Sequence, residues 1–417
     1  MRESARACVC GGEVGEGKPP ATVHRPPFFV LTLCAVMPTH RRCDSSGPKG
    51  DSPPLPAPDT SGIAAAVAAA KGADVAVLFF GSDQTTEAEN FDRLSLGLVG
   101  AQEQLLAAVT AVQPNVVVVL IHGGPIAVES AVASTQVKAI VDAFQPGELG
   151  SDAIMDLLDG TTSPSGLMPY TTYLANFTAR DIREVDLTAD RGTTYWWHTD
   201  PVLYPFGFGL SYSTFTFQWS QHPPAFQSAP PSSGTSLGEA TSHNKGSQNG
   251  GVGGGGGGGG GSSRQNVTTA APSADAAHAA TTVQLPPSAS NLATFAINHS
   301  VIVTNTGTTV SDIVALAFVV VAPAPASSPP EMPLRKLFGF ERFTAVKPGE
   351  SRSAYFASTA DSLGVVGADG VKRLHPGAYL IEVGSVKQSI AVQKLQLVGT
   401  APLVVEENTW AQTARSQ

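Results

Sequence analysis

Three stretches of this chain are almost continuously apolar: residues 73–80 (ADVAVLFF), 115–121 (NVVVVLI) and 137–144 (VKAIVDAF). Each has strand length, and the second is rich in β-branched residues. None shows the strict alternation of a strand with one wet face. Helical spacing flanks or separates them, over 63–71, 101–112, 128–134 and 151–159. Strands buried on both faces and alternating with helices specify a parallel sheet covered by helices. From 294 onward the texture changes to short alternating runs, at 294–304, 313–321, 352–357, 378–383 and 388–397. Turn signals such as Asn305-Thr306-Gly307 and Pro348-Gly349-Glu350 separate them, which suggests a β-sandwich of immunoglobulin-like size.

The remainder of the chain accounts for its unusual composition. Charged residues are 14% of the 417, against roughly 25% in soluble globular chains, and Gly (43) and Pro (32) are in excess. Residues 1–60 are expected to be a disordered leader, and residues 218–292, with an unbroken glycine run at 253–261, a low-complexity linker. The apolar stretch 28–37 within the leader reads either as a secretory signal core or as more unstructured chain. All four cysteines (Cys8, Cys10, Cys34, Cys43) lie in the leader, so the folded body holds no internal disulfide and no thiolate zinc site. Sequons at Asn176, Asn266 and Asn298 are permissive of secretion. A net charge of −9 argues against nucleic-acid and polybasic membrane binding, and no apolar run is long enough to span a bilayer as a helix. The sequence therefore divides into a leader (1–60), an α/β domain (61–217), a linker (218–292), an all-β domain (293–400) and a tail (401–417).

In an open parallel sheet, ligands sit beyond the carboxyl ends of the strands. Three loops occupy that position: 81–93 (GSDQTTEAENFDR), 122–125 (HGGP) and 145–150 (QPGELG). The first gathers Asp83, Glu87, Glu89 and Asp92 against a single base, Arg93. Clustered carboxylates repel, so one tends to hold its proton to higher pH, which is what a general acid needs. The same composition also fits a solvated acidic loop with Asp92 and Arg93 paired for structure. His122 is read first as a packing or backbone-bonding residue and second as a ligand donor, and the Gly-Gly-Pro after it as a tight turn.

In order along the chain, GSDQTTEAENFDRLSL, GAQEQLL, VVVVLIHGGPI, IVDAFQPGELGSDAI and SPSGLMP resemble the second domain of family-three glycoside hydrolases. The likeness lies nearest the β-xylosidase / α-L-arabinofuranosidase branch. It continues through Gly192-Thr193-Thr194-Tyr195 and 204–217 (YPFGFGLSYSTFTF). VTNTG (303–307), PLRKLFGFERF (333–343), KPGE (347–350) and HPGAYLIEVGS (375–385) are similar to that family's fibronectin-III-like third domain. The resemblance covers residues 63–217 and 293–398. Tyr170-Thr171-Thr172 and Gly100 depart from the usual family residues at their positions.

The resemblance implies a partial parallel α/β domain followed by an all-β fibronectin-III-like sandwich. It implies an exo-acting, retaining glycosidase whose substrate is an oligosaccharide or glycoside, with no cofactor and no metal. Two carboxyl groups about 5–5.5 Å apart do such chemistry, one as nucleophile and one as acid/base. The resemblance places the nucleophile on an N-terminal barrel and the acid/base on the loop matched by 81–93. Glu87 is the expected acid/base and Glu89 the alternative, with Asp92 and Arg93 structural. A barrel needs about 250 residues. Only the leader precedes the matched region, so the barrel, and with it the sheet's first strands, is expected to be missing here or supplied as a partner. A non-catalytic carbohydrate-binding or cell-surface module is the alternative.

Overall fold

The structure, a computed structural model, describes residues 30–34, 58–84, 86–89, 93–181, 183–220, 280–321, 333–367, 369–385 and 387–406. Its first part is a four-stranded parallel sheet of β1 (Val30–Cys34), β2 (Val75–Gly81), β3 (Val116–Ile121) and β4 (Val137–Asp142), in that order. Helices α1 (Ile63–Lys71), α2 (Gln102–Thr110), α3 (Glu129–Ala133) and α4 (Gly150–Leu158) fall between or after the strands.

The two-residue period of a strand decides what each face meets. Ala76, Leu78 and Phe80 of β2 and Val116, Val118 and Leu120 of β3 pack against Ala66 and Ala70 of α1, Leu105, Leu106 and Val109 of α2, and Ala131 of α3. The alternate residues Val77 and Val119 face Ile154 and Leu158 of α4. Both faces are covered, so an unbroken apolar run is the sequence such a strand requires.

The edge of this sheet differs from expectation. The leader assigned to 1–60 contributes a strand: β1 runs parallel to β2, from Val30 opposite Val75 to Cys34 opposite Phe79. The edge of β2 that the sequence left unprotected is therefore paired. The cysteines Cys8, Cys10 and Cys43 and the sequon at Asn266 lie outside the described residues.

The described residues of 163–212 hold a short 3-10 helix (Ala175–Ala179) and the short helix α5 (Thr194–Trp197), and otherwise run irregularly between the two parts. They are ordered by what they touch. Met168 and Gly207–Phe208 exchange backbone hydrogen bonds, and Thr172 pairs with Tyr204. Tyr195 stacks on Phe206 at 4.3 Å, and both rings meet Phe318 edge-on. The hydroxyls of Ser163, Ser211 and Ser311 close a three-membered hydrogen-bond ring across the joint.

The second part is a β-sandwich. Its strands are β5 (Phe215–Trp219), β6 (Thr281–Gln284), β7 (Ala296–Asn305), β8 (Ser311–Val321), β9 (Lys336–Val346), β10 (Ser351–Thr359), β11 (Val365–Val366), β12 (Lys372–Leu374), β13 (Gly377–Gly384), β14 (Ile390–Val398) and β15 (Leu403–Glu406), with the short α6 (Ala360–Leu363) after β10. One sheet is ordered β10-β7-β5 and the facing one β6-β14-β13-β8-β9, with a small sheet β11-β12-β15 beside them. Phe215, Phe217, Val301, Val303, Ala354 and Phe356 fill the space against Ile313, Ala315, Ala317, Ile381, Val383 and Leu395.

Six strands of the sandwich fall outside the predicted set or its boundaries. β5 lies across the end assigned to the α/β domain, yet pairs with β7 because Phe215 and Phe217 bury in the sandwich core. β6 lies in the segment read as linker, where it pairs with β14. β9, β11 and β12 were not predicted as strands, and β15 lies in the segment read as tail.

His299 of β7 sits in the sandwich core, 2% exposed, between the rings of Trp219 and Phe338. Its Nε2 lies 2.8 Å from the Ser358 hydroxyl. Burial pushes this imidazole down from 6.5 to about 4, against a smaller opposing pull from Gln393. The unfolded chain therefore takes up the proton more readily than the folded one. Stability is full above about 6.5 and falls as the pH drops toward 4, by on the order of 3 kcal/mol in total. Thermal melts between pH 7 and pH 4.5 are expected to show this loss, and His299→Gln to flatten it. An equal slope in the variant assigns the acid sensitivity elsewhere.

Candidate functional site

The carboxyl ends of β2, β3 and β4 open into a concavity of about 520 Å³. Ser82, Asp83 and Glu87 line it from the first loop, Ile121 to Gly124 from the second, and Gln145 from the third. The three loops singled out in the sequence therefore meet in space.

Glycine lets them meet. At Gly81 an added Cβ would lie 1.7 Å from the Ile121 carbonyl oxygen, which no other residue tolerates. The buried Gln102, at the start of α2, donates from Nε2 to the Gly81 carbonyl and accepts the Gly81 N–H at Oε1. Beyond this pin the chain turns tightly: the amides of Thr86 and Glu87 both donate to the Asp83 carbonyl, and the Thr86 hydroxyl bonds there too. That turn delivers Glu87 to the concavity.

Glu87 is held from three sides. Arg93 Nε donates to Oε2 at 2.7 Å, the Ser82 hydroxyl to Oε1 at 2.8 Å, and the Gly124 amide to Oε1 at 3.2 Å. Arg93 is itself fixed by its bond to the Pro125 carbonyl at 2.8 Å. A Cβ at Gly124 would lie 3.0 Å from Glu87 Oε2, so this glycine serves close approach as well as a turn. Partial burial by itself would raise the Glu87 carboxyl. The Arg93 guanidinium, the Ser82 hydroxyl and the Gly124 amide outweigh it and hold the group below its ordinary range.

This corrects one expectation. Carboxylate repulsion does not keep a proton on Glu87, because Arg93 neutralises it. Arg93 pairs with Glu87, and Asp92 lies outside the described residues. Glu89 is exposed, does not line the concavity, and has no hydrogen-bond or ion-pair partner among the described residues. His122 bonds the Gly124 carbonyl through Nδ1 at 2.7 Å, as its backbone-bonding reading expected. It also meets Asp142 through Nε2 at 2.9 Å. Ser82, Gln102, Asp142 and Gln145 were not identified from the sequence. Their one signal was position, at or next to the strand ends. Among the described residues, no group of three or more His, Cys, Asp or Glu is placed to hold a metal ion.

Residues 4–212 match the family model of the glycosyl hydrolase family 3 C-terminal domain, and residues 320–387 that of a fibronectin type III-like domain. The chain belongs to glycosyl hydrolase family 3. The family 3 match begins within the segment read as leader, in keeping with β1. The chain is 31% identical over 329 residues to the "Probable exo-1,4-beta-xylosidase bxlB" of Aspergillus fumigatus, covering 78% of this chain and 36% of that protein. It is 30% identical over 345 residues to the exo-1,4-beta-xylosidase bxlB of Emericella nidulans, covering 82% and 38%. The chain thus spans under two fifths of these relatives' length.

A solved family 3 exo-beta-xylosidase (XlnD), in complex with a xylobiose aziridine activity-based probe, superposes with a TM-score of 0.62 at 25% identity over 86% of this chain and 41% of that one. A beta-glucosidase from Kluyveromyces marxianus in complex with glucose shares the fold, with a TM-score of 0.56 at 21% identity over 83% and 34%.

Removing the guanidinium isolates what it does to Glu87. Arg93→Met leaves burial as the dominant influence, so the Glu87 carboxyl is expected to titrate at higher pH than in the wild type. Carbon-detected NMR of the labelled carboxyl reads this directly. The sign carries over to stability. The lowered carboxyl stabilises the fold above the ordinary carboxylate range and loses that contribution as the pH falls through its own value. The variant should lose this pH dependence, and an unmoved carboxyl would show that Arg93 does not set its charge.

Proposed function

We propose that this chain supplies the acid/base wall of a retaining exo-glycosidase acting on β-xylosidic ends, with α-L-arabinosidic ends as a second substrate class. The observation that carries the reading is the delivery of Glu87 to the mouth of the family 3 domain, at the carboxyl ends of the strands. Retaining hydrolysis needs a second carboxyl as nucleophile, about 5–5.5 Å away across the sugar. That group is assigned to an α/β barrel belonging to the same protein or to a second polypeptide. Glu87 as held by Arg93 is a carboxylate, suited to the second half of the reaction, in which it takes a proton from water. To act first as an acid it must gain a proton, so the barrel or the sugar has to loosen the Arg93 contact. Glu89, exposed on the same loop, is the alternative acid/base. An extracellular setting and a role in xylan breakdown follow from the same reading. Among the described residues no helix is long and apolar enough to cross a membrane.

The ionised state of Glu87 favours a second reading, a sugar-binding module without catalysis. Kinetics with two leaving groups separate them. The chain is fused behind the barrel segment of the Aspergillus fumigatus relative, and Glu87→Gln and Glu89→Gln are compared on phenyl and 2,4-dinitrophenyl β-xylosides. An activated leaving group departs without a proton, so loss of the acid spares it. Glu87→Gln is expected to lower turnover of the phenyl xyloside about 10²–10⁴-fold and to spare release of the dinitrophenyl group. Glu89→Gln should leave both close to wild type. The opposite pattern gives the role to Glu89, and xyloside binding without turnover in the fusion supports the module.

A further inference from the structure

Behind the concavity lies a contact that the reaction scheme does not use. His122 is 1% exposed, and both of its ring nitrogens face oxygens that only accept. Nδ1 is 2.7 Å from the Gly124 carbonyl, and Nε2 is 2.9 Å from Asp142 Oδ1. A neutral imidazole carries one N–H and one bare lone pair. Either neutral form would press a lone pair against an oxygen at hydrogen-bond distance. A proton on Asp142 would relieve the Nε2 side, but that carboxyl is partly exposed, and an aspartate is ordinarily a much weaker base than an imidazole.

We infer that His122 is held as an imidazolium between Asp142 and the Gly124 carbonyl, and that this bridge is the positioning device for Glu87. Gly124 has no Cβ because Glu87 lies where a Cβ would crowd it, so its backbone has a glycine's freedom. Two contacts remove that freedom. The His122 ring takes the Gly124 carbonyl, and the Gly124 amide is thereby aimed at Glu87 Oε1. The anchor of the ring is firm. Asp142 Oδ1 also accepts the Phe144 amide, and the Phe144 carbonyl accepts the His122 amide. Phe144, within this exchange, has a left-handed φ of 51°, and its ring lies 5.5 Å from that of His122.

The charges around the ring are Asp142 on β4 and, across Gly124, Glu87 with its partner Arg93. The phenols of Tyr170 and Tyr204 stay neutral. Burial, and after it the Asp142 charge, pushes Tyr170 up and Tyr204 up to about 12. The cluster is thus two cations and two anions gathered from two loops and the end of β4. Its bearing on catalysis rests on the role proposed for Glu87, whereas the protonation of the ring does not.

The test uses the full chain with ¹⁵N-labelled histidine rings and needs no activity. At neutral pH one of the nine rings is expected to show protons on both nitrogens, and that pattern should vanish in His122→Gln. In Asp142→Asn the ring should fall to a single N–H, and the Glu87 carboxyl should titrate at higher pH as the Gly124 amide loses its aim. Asp142→Glu should restore both. A wild-type His122 ring with one bare nitrogen overturns the inference. A doubly protonated ring with Glu87 unmoved in Asp142→Asn overturns the positioning role. If Asp142→Asn does not melt cooperatively, the Glu87 titration in His122→Gln decides the same point: it rises if His122 positions Glu87 and stays put if it does not.

Discussion

The approach of Gly81 to the Ile121 carbonyl is the constraint on which the candidate site depends. The carboxyl ends of β2 and β3 lie side by side only because one of them lacks a side chain. Gln102 fixes that end to α2 with two reciprocal hydrogen bonds. The turn beyond it then has one direction to take, across the end of β3, and Glu87 arrives beside Gly124. Backbone geometry and a buried amide, more than attraction between charges, bring the loops together. Charge pairing follows, with Arg93 reaching Glu87 from one side and the Pro125 carbonyl from the other.

The sheet's own strands hold this arrangement rigid. Covered by α1, α2 and α3 on one face and by α4 on the other, β2 and β3 present a fixed edge to the loops. The sandwich lies beyond the irregular 163–212 segment. It joins through the stacked rings of Tyr195 and Phe206 set edge-on against Phe318, the three serine hydroxyls, and the Leu334 amide on the Trp196 carbonyl. Family 3 membership accounts for both parts in one chain.

How much was legible in the sequence follows from which signals are local. The three doubly buried strands declared themselves because a run such as VVVVLI has few other homes. β1 did not: VLTLC is short, sits close to prolines and resembles a signal core as much as a strand. β9 was missed because Gly339 and the charges Glu341 and Arg342 interrupt its apolar residues. β6 lies just beyond a Gly/Ser/Pro stretch whose composition dominated the reading. Within the site, the three loops were found by their position after strands, and Glu87 by resemblance. The Glu87–Arg93 pair was hidden because loop residues six apart carry no periodicity, and the adjacent Asp92 offered the simpler partner. The His122–Asp142 contact joins the ends of two neighbouring strands. Only the register of β3 on β4 makes it visible.

In the proposed reaction the acid/base lies on this chain and the nucleophile on a barrel. An aziridine configured as xylobiose traps the nucleophile of a retaining xylosidase as a covalent adduct. Peptide mapping of the barrel-completed enzyme after such labelling tests the division directly. The predicted result is an adduct on a barrel peptide, with every carboxylate of this chain unmodified and labelling slowed in Glu87→Gln. An adduct on Asp83, Glu87, Glu89 or Asp142 would contradict it.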